Sequence, residues 1–449
     1  MRISTNQIYG GAARSIERNQ SQLVRLQNQL STNRRLLSPA DDPIAAARAL
    51  TVRQNREVSA QYGENQQEAS ARLGLVDVQL TAVGDLLQSV RSRVVQAGNT
   101  ILADSDRQAM AAELATRFDE LLGIANSRNA DGEYLFSGHQ GATVPFARSA
   151  ASSTTAAATY YGDDGLRSLQ VGPSQQMATN VAGSELFMNI SDGNGSFSTS
   201  ALGNGSGSLP NQGTGQIDPG SVLDPQKWRD ALAGGFPWQG ASNRQLQIQF
   251  SLAGGTLSYQ LFDASTPPPP AAPLTPVAVS TVLPFTPGQA IPLVTTTQPP
   301  ATPVSTDFGA QVVVKGTPAA GDTFAIEPST NKSMFQTVQE LVDLLRTPLG
   351  SSTARSDFIG KLQQHLVNVD QALANVSRVQ STVGTRLQQL DSLLSATTAI
   401  DIQYQATLSA LEDVDYAQAI SDFMRQQATL EAAKKSFTAI SDLSLFNYL

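Results

Sequence analysis

The 449-residue sequence contains no cysteine and only two histidines, His139 and His365. The lack of cysteine excludes disulfide bonds and thiolate-ligated metal sites. Two imidazoles that stand far apart in the sequence also offer little for a metal centre. We therefore expect the protein to bind no metal.

Aromatic residues and long apolar runs are also scarce. Aromatics make up 6% of the chain, and both tryptophans, Trp228 and Trp238, lie in its middle. The two ends must therefore pack through aliphatic side chains, which favours helix seams over sandwich cores. No apolar run approaches the ~18 residues that span a bilayer, and the first residues, MRISTNQIYGG, lack the apolar core of a secretory signal. We expect no membrane insertion, and either a cytoplasmic protein or one exported without a cleaved signal.

The formal charge of −8 is unevenly distributed. Residues 1–56 contain nine arginines and three acids, whereas residues 401–449 contain seven acids and three basic residues. An acidic protein is a poor nucleic-acid binder, because phosphate binding needs a basic surface. Opposite charges at the two ends favour their pairing, although a solvated basic face is the ordinary alternative.

Heptad spacing of apolar residues predicts long helices at both ends of the chain. Near the N-terminus this spacing joins Tyr9, Ile16, Leu23, Leu30 and Leu37. Denser seams run from Leu73 to Ile101 and from Leu362 to Leu394, and we expect these two to pack together. Isolated helices are marginal in water, so the weaker end helices should need partners. We predict that they form an assembly interface through Ile16, Leu23, Leu26, Leu30, Leu37, Ile420, Phe423, Leu430 and Phe437.

The stretch from Ser31 to Leu50, STNRRLLSPADDPIAAARAL, is predicted to join two helices. Pro39 should end the first helix, because proline lacks an N–H and restricts the residue before it. Pro43 fits the first position of the next helix, and Asp42 can accept hydrogen bonds from its free amides. Asp41 adds negative charge at the same positive helix end. We interpret this acid pair as a cap, not as a metal or catalytic site.

Composition changes at about Thr143. Between Thr143 and Lys332 lie 20 of the 23 prolines and 21 of the 34 glycines, which indicates turns and a separate β domain. Short or alternating apolar runs predict strands at Tyr134–Phe136, Leu246–Phe250, Leu257–Leu261, Gln311–Lys315 and Thr323–Ile326. The last two should pair as a hairpin. We expect the proline cluster of residues 267–303 to be an extended loop, not a peptide ligand.

The order of these elements predicts a mainly α fold with an inserted β domain, arranged as three nested parts. Residues 1–42 and 408–449 would form a terminal coiled coil for assembly. Residues 43–142 and 333–407 would form a bundle of long helices, and residues 143–332 a central β-rich domain.

The sequence contains only fragments of catalytic or ligand-binding motifs. The glycine-rich segment from Gly203 to Gly220 lacks the Lys and Ser/Thr of a phosphate loop. The segment from Asp192 begins like a calcium loop but has Phe197 where glycine belongs. We therefore predict no catalytic, cofactor-binding or metal site, and a protein that is not an enzyme.

Three stretches resemble the bacterial flagellin family. They are the joint with Asp41, Asp42 and Pro43, the segment DGEYLFSG at Asp131–Gly138, and the tail from Leu411 to Leu449. The joint and the final LSLFNYL look most like the hook–filament junction branch of the family. The matches cover the N-terminal third and the C-terminal quarter of the chain.

The resemblance implies a structural subunit of the bacterial flagellum that forms the junction between hook and filament by self-association of its terminal helices. It would be extracellular and exported without a cleaved signal. Its partners would be copies of itself, hook and hook-associated proteins, filament-side flagellin, and an export chaperone at the C-terminal segment. Two alternatives remain open: a flagellin filament subunit, and a fibre-type binding module acting through the central domain.

Overall fold

The computed structural model describes residues 5–99, 102–149, 157–204, 210–234, 244–265, 277–296 and 305–445, without the side chains of 5–9 and 440–445. Tyr9 as a seam position, Ile101, Trp238 and the end of the LSLFNYL motif therefore lie outside what is described. The helices are α1 (Thr5–Thr32), α2 (Pro43–Ala97), α3 (Asp104–Ala125), α4 (Pro225–Gly234), α5 (Met334–Arg346), α6 (Ser352–Glu412) and α7 (Tyr416–Leu445). None of these helices is long and apolar enough to cross a membrane.

The strands lie between α3 and α5. They are β1 (Phe146–Arg148), β2 (Ala158–Tyr160), β3 (Ser168–Gly172), β4 (Gln175–Ala178), β5 (Ile190–Ser191), β6 (Phe197–Asn204), β7 (Gln216–Ile217), β8 (Ser221–Val222), β9 (Leu246–Ala253), β10 (Thr256–Asp263), β11 (Val277–Ala278), β12 (Leu283–Pro284), β13 (Ala290–Thr296), β14 (Ser305–Lys315), β15 (Asp322–Pro328) and β16 (Asn331–Lys332). A π-helical turn spans Ser184–Met188. The predicted fold, mainly α with a central β-rich region, is confirmed.

The chain divides into two compact units. Unit 1 contains residues 1–68, 170–176 and 389–449, and unit 2 contains residues 69–169 and 177–388. Both chain ends belong to unit 1, where α1 packs against α7. This confirms the pairing predicted from their opposite charges. The boundaries of the three nested domains, by contrast, stay a prediction.

In unit 2 the two dense seams pack against each other, as predicted. Their buried residues, each at most 4% exposed, are Leu73, Val76, Leu80, Val83, Leu87, Val90, Val94, Leu362, Val369, Val376 and Val383. At the rim, Arg91 Nε donates to Asp370 Oδ1 at 2.6 Å and Gln380 Nε2 to Asp77 Oδ1 at 3.2 Å. Full burial of one Leu or Val contributes about 1.5–3 kcal/mol. Because eleven such residues are buried here, the contact between α2 and α6 forms a large part of the helical core.

An aromatic cluster joins α5 to α3 and β1. The ring of Phe335 lies 5.8 Å from that of Phe118, 5.2 Å from that of Phe146 and 5.7 Å from that of Phe187. Asn126, at the end of α3, exchanges two hydrogen bonds of 2.9 and 3.0 Å with the backbone of Phe146. The chain just after Thr143 therefore packs on the helices and does not yet enter the large sheets.

The predicted strand at Tyr134–Phe136 is wrong. These residues are buried in a series of turns, where Tyr134 forms one isolated bridge to Arg128. The amide of Tyr134 donates to Gly141 O at 2.9 Å and that of Leu135 to Ser127 O at 3.0 Å. Because the hydrogen-bond acceptors on both sides of this segment lie in loops, the segment does not pair with a neighbouring strand.

The region from β5 to β16 contains two main antiparallel sheets around one core. The first has the order β11-β10-β9-β15-β6 with β12 also on β10, and the second the order β13-β14-β7 with β8 also on β14. Trp228 of α4 fills the core between Phe197 and Phe308, with ring centroids 5.1 and 6.0 Å away. The predicted strands at Leu246–Phe250 and Leu257–Leu261 are confirmed as β9 and β10, which pair as a hairpin.

The predicted hairpin of Gln311–Lys315 with Thr323–Ile326 is wrong, although both segments are strands. They are parts of β14 and β15, which lie in different sheets. The connection is held by Asp322, which is fully buried and accepts hydrogen bonds from the amides of Gln212, Gly213 and Ala319 at 2.8–2.9 Å. This carboxylate ties the turn before β15 to the segment before β7, which redirects the chain.

The extended loop predicted for the proline cluster is wrong for residues 277–296. This part contains β11, β12 and β13, and Pro292 lies opposite Gln311 next to a register shift in the β13–β14 ladder. In the described sheet β13 is paired through β14 alone, and an edge strand tolerates a proline that cannot donate. Residues 267–276 and 297–303 of the cluster lie outside the described residues.

We expect the fragment Ile190–Lys332 to fold alone with a cooperative thermal transition. Its ends are adjacent, because Ile190 of β5 pairs with Lys332 of β16. The longer fragment Thr143–Lys332 contains Phe146 and Phe187 but lacks Phe335, which covers them in the full chain. It should therefore unfold at no higher temperature than the shorter fragment, and it should bind more hydrophobic dye than the shorter fragment does. Circular dichroism on both fragments checks this, and a non-cooperative melt of the shorter one contradicts it.

A buried histidine makes the stability of unit 2 depend on pH. The side chain of His365 on α6 is 15% exposed, and its Nδ1 lies 3.5 Å from Glu340 Oε2 on α5. Burial lowers the pKa of His365 from 6.5 to about 4; Lys332 and Lys361 act in the same direction, and Glu340 opposes them. The sequence analysis considered this residue only as a possible metal ligand.

We expect the free energy of unfolding to fall as pH drops from about 6.5 to 4. In this window the unfolded chain binds a proton at residue 365 and the folded chain does not, so acid favours unfolding by on the order of 2–3 kcal/mol. Urea unfolding of His365→Gln should lack this slope. His139→Gln, at an exposed loop position, is the control and should keep it. Equal slopes in both variants would rule out His365 as the cause.

Candidate assembly surface at the joint of the terminal helices

The first terminal helix ends earlier than Pro39, the residue predicted to stop it. α1 ends at Thr32, and Asn33 adopts a left-handed conformation with φ of 55°. The amide of Arg34 donates back to Gln29 O at 3.2 Å, which is the six-to-one bond of a Schellman motif. Asparagine tolerates this conformation, so it ends the helix without help from Pro39. Leu37, predicted as a seam residue, lies outside the helix and is exposed.

Arg35 then joins this linker to the end of α6. Its amide donates to Glu412 O at 2.7 Å, and its Nη2 donates to Leu411 O at 2.6 Å. Val414, in the linker between α6 and α7, donates to Asn33 O at 3.3 Å. The last carbonyls of a helix have no partner within it and carry its negative dipole, so a guanidinium there is favourable. The linkers α1–α2 and α6–α7 are thereby held side by side.

Asp41 and Asp42 have different roles in the joint. α2 begins at Pro43, and Asp42 Oδ1 accepts from the amide of Ala45 at 3.0 Å, so its predicted role as a cap is confirmed. Asp41 instead accepts from the amides of Leu37 and Ser38 at 2.9 and 2.8 Å through Oδ2. These backbone hydrogen bonds hold the pKa of each carboxyl below its usual range. Asp41 therefore organises the linker rather than the helix end.

Two arginines of α2 pair with acids of α6 within unit 1. Arg53 Nη2 lies 2.5 Å from Glu412 Oε1, and Arg56 Nε lies 2.7 Å from Asp401 Oδ1. The Arg56–Asp401 pair is largely exposed and contributes about 0–1 kcal/mol, so it aligns the helices more than it stabilises them, whereas Glu412 is only 8% exposed. Nearby, the buried Gln66 donates to Val171 O at 2.7 Å, which attaches residues 170–176 to α2.

The predicted interface residues lie mainly where α1 and α7 meet. Leu430 is buried, and six others are half-buried: Ile16, Leu23, Leu26, Leu30, Phe423 and Phe437. The amide of Gln426 bridges the two helices by donating to Asn19 Oδ1 at 3.1 Å and to Gln22 Oε1 at 2.9 Å. Leu37 and Ile420 are exposed. The structure thus brings most of the set together within one chain, and a role in assembly stays a prediction.

A second apolar surface in unit 1 was predicted only in part by the sequence analysis, which named Leu37 and Ile420 alone from it. Of the 21 exposed large hydrophobic residues in the described chain, ten lie in this smaller unit: Val24, Leu37, Ile44, Leu50, Val58, Ile400, Ile402, Tyr416, Ile420 and Met424. Tyr416, Ile420 and Met424 are four residues apart on one face of α7, and we call them the α7 stripe. The spacing of these three residues could have identified it. Contiguous exposed apolar surface marks interaction sites.

We expect Asp41→Ala and Asp42→Ala to loosen different parts of the joint. Asp41→Ala removes the acceptor of the Leu37 and Ser38 amides, so hydrogen exchange at these two should accelerate while Ala45 stays protected. Asp42→Ala should do the reverse. Each variant is the control for the other in an amide-resolved exchange experiment. If both changes accelerate the same amides, the pair acts through charge alone.

Known proteins match both ends of this chain. The family model of the bacterial flagellin N-terminal helical region matches residues 3–141, and that of the C-terminal helical region matches residues 366–449. Flagellar hook-associated protein 3 of Salmonella typhimurium is 31% identical over 190 residues, or 42% of this chain and 58% of that protein. The protein of the same name from Escherichia coli is 23% identical over 450 residues, or 99% of each chain.

Solved structures are similar over most of the chain. A crystal structure of flagellar hook-associated protein-3 from Legionella pneumophila superposes with a TM-score of 0.66 and 28% identity, over 80% of this chain and 98% of that one. The flagellar junction protein from the same organism gives a TM-score of 0.65 and 27% identity, over 82% of this chain and 100% of that one.

Proposed function

The chain belongs to the bacterial flagellin family, and from this premise we propose that it forms the junction between hook and filament of the flagellum by self-association of α1 and α7. The observation that carries the proposal is the concentration of exposed apolar residues in unit 1, which contains both chain ends. Relatives that match 82–99% of the chain carry the names of hook-associated and junction proteins. They are structural proteins of the flagellum, not enzymes.

The packing of α1 on α7 explains why such helices would need further copies of the chain. Each helix covers only one face of the other, and Met424 of the α7 stripe remains 66% exposed. Full burial of such a side chain contributes about 1.5–3 kcal/mol, while ordering each residue costs ~1–2 kcal/mol of backbone entropy. An isolated pair recovers little of this cost. Burial of the stripe by a second copy would make assembly and ordering of the ends one coupled process.

The proposal extends to the partners and the location of the protein. Its neighbours in the flagellum would be hook and hook-associated proteins on one side and flagellin on the other. Before assembly the α7 stripe needs cover, so an export chaperone would bind within residues 401–449. Export would proceed without a cleaved signal, and the protein would act outside the cell.

We expect Met424→Glu to abolish incorporation at the junction without unfolding the chain. A charge at this exposed position costs the free chain little, whereas burial against another copy would desolvate it. Fluorescently labelled wild-type protein should appear as one spot at the hook–filament boundary, and Met424→Glu should lose the spot. Val78→Glu is the control, since Val78 is 61% exposed but lies in unit 2.

Other outcomes of this imaging would contradict the proposal. Label along the whole filament would identify a filament subunit instead. A normal spot with Met424→Glu would exclude the α7 stripe from the interface while leaving the junction role intact.

A further inference from the structure

A small pocket lies in unit 2 where several helix ends converge. It holds about 50 Å³ and is bordered by the end of α2, the start of α3 and the first turns of α6. A water molecule needs about 10–15 Å³ of such space, so the pocket is large enough for more than one water molecule. The residues that line it and matter here are Leu102, Asp104, Arg107, Arg355, Phe358 and Ile359.

Arg107 is the buried cation of this pocket, with only 4% of its surface exposed. Its Nη2 donates to Thr347 O at 3.2 Å and pairs with Asp104 Oδ1 at 2.9 Å. Its guanidinium lies over the ring of Phe358, 5.6 Å from the centroid. Its Nε–H, in contrast, is buried with no hydrogen-bond partner among the described residues. An unpaired donor on a buried charge is unfavourable and indicates a missing acceptor.

The surroundings of Arg107 favour an anion as that acceptor. Arg355 of α6 lines the same pocket, while Asp104 is its one acid among the described residues and is already paired with Arg107. The positive end of the α3 dipole also lies here, since α3 begins at Asp104. Phe358 and Ile359 add an apolar part to the wall, beside the polar Asn99, and this part suits a short hydrocarbon stem.

We propose that this pocket binds a carboxylate on a short aliphatic stem, with the Nε–H of Arg107 and the guanidinium of Arg355 as donors. Such a group has two sources: a free short-chain acid such as acetate, or an aspartate or glutamate side chain of another copy of the chain. The binding chemistry is the same for both, and it does not depend on the junction role proposed above.

The test follows the Nε–H resonance of Arg107 in arginine-labelled protein during a titration with sodium acetate at constant ionic strength, balanced with sodium fluoride. We expect a saturable shift. With a dissociation constant of about 10 mM, 100 mM acetate would raise the equilibrium constant for folding about 11-fold. Arg355→Met should weaken acetate binding at least fivefold. Arg117→Met, at a half-buried arginine of α3 paired with Glu120, is the control and should leave acetate binding unchanged.

The two sources give different results in the absence of acetate. If an acidic side chain of another copy binds, the Arg107 resonance should shift as protein concentration rises into the assembling range, and acetate should compete with assembly. If a free acid binds, the resonance should not depend on protein concentration. No saturable shift up to 100 mM acetate together with no concentration dependence, or identical binding by Arg355→Met, overturns the proposal and leaves water as the occupant.

Discussion

The hydrogen bonds that Arg35 makes to the end of α6 are the constraint on which the arrangement of unit 1 depends. A linker connects each terminal helix to its neighbour, α1 to α2 and α7 to α6. The hydrogen bonds of Arg35 hold these two linkers next to each other. Once they are held there, the end of α1 lies beside the start of α7, and the bridge from Gln426 to Asn19 fixes their register. The opposite charges of the two ends of the sequence favour this side-by-side packing of α1 and α7.

The two units differ in how completely their helices bury apolar surface. The seam of α2 and α6 in unit 2 is closed, with its valines and leucines almost fully covered, and the aromatic cluster around Phe335 adds a second core. The α1–α7 pair in unit 1 has mostly half-buried seam residues and an exposed α7 stripe. The closed core and the exposed apolar surface thus lie in different parts of the chain, as the proposed role of an assembling subunit requires.

Sequence patterns predicted the helices and strands of this protein better than they predicted which of these elements pack or pair with each other. Heptad spacing located the long helices, and the cap at Asp42 follows from its place before Pro43. Pro39 was given a role that Asn33 performs, because a left-handed turn is set by a single residue and leaves no periodic signal. The strands β14 and β15 were located correctly but paired wrongly, since alternation reports a buried face and not the neighbouring strand. Convergence of helix ends, which creates the pocket at Arg107, leaves no local pattern at all.

The pairing of β5 with β16 has a consequence for how this family can vary. The chain enters and leaves the β-rich region between Ser191 and Asn331 beside one two-stranded ladder, and Gly193 just beyond it donates to Asn368 of α6 at 2.8 Å. The family models match residues 3–141 and 366–449 and leave this region out. Any segment whose ends close on a similar ladder could take its place without moving the helices. Evolution can therefore lengthen, trim or exchange the outer module while the helical framework stays the same, and an engineer could graft a foreign domain at the same two positions.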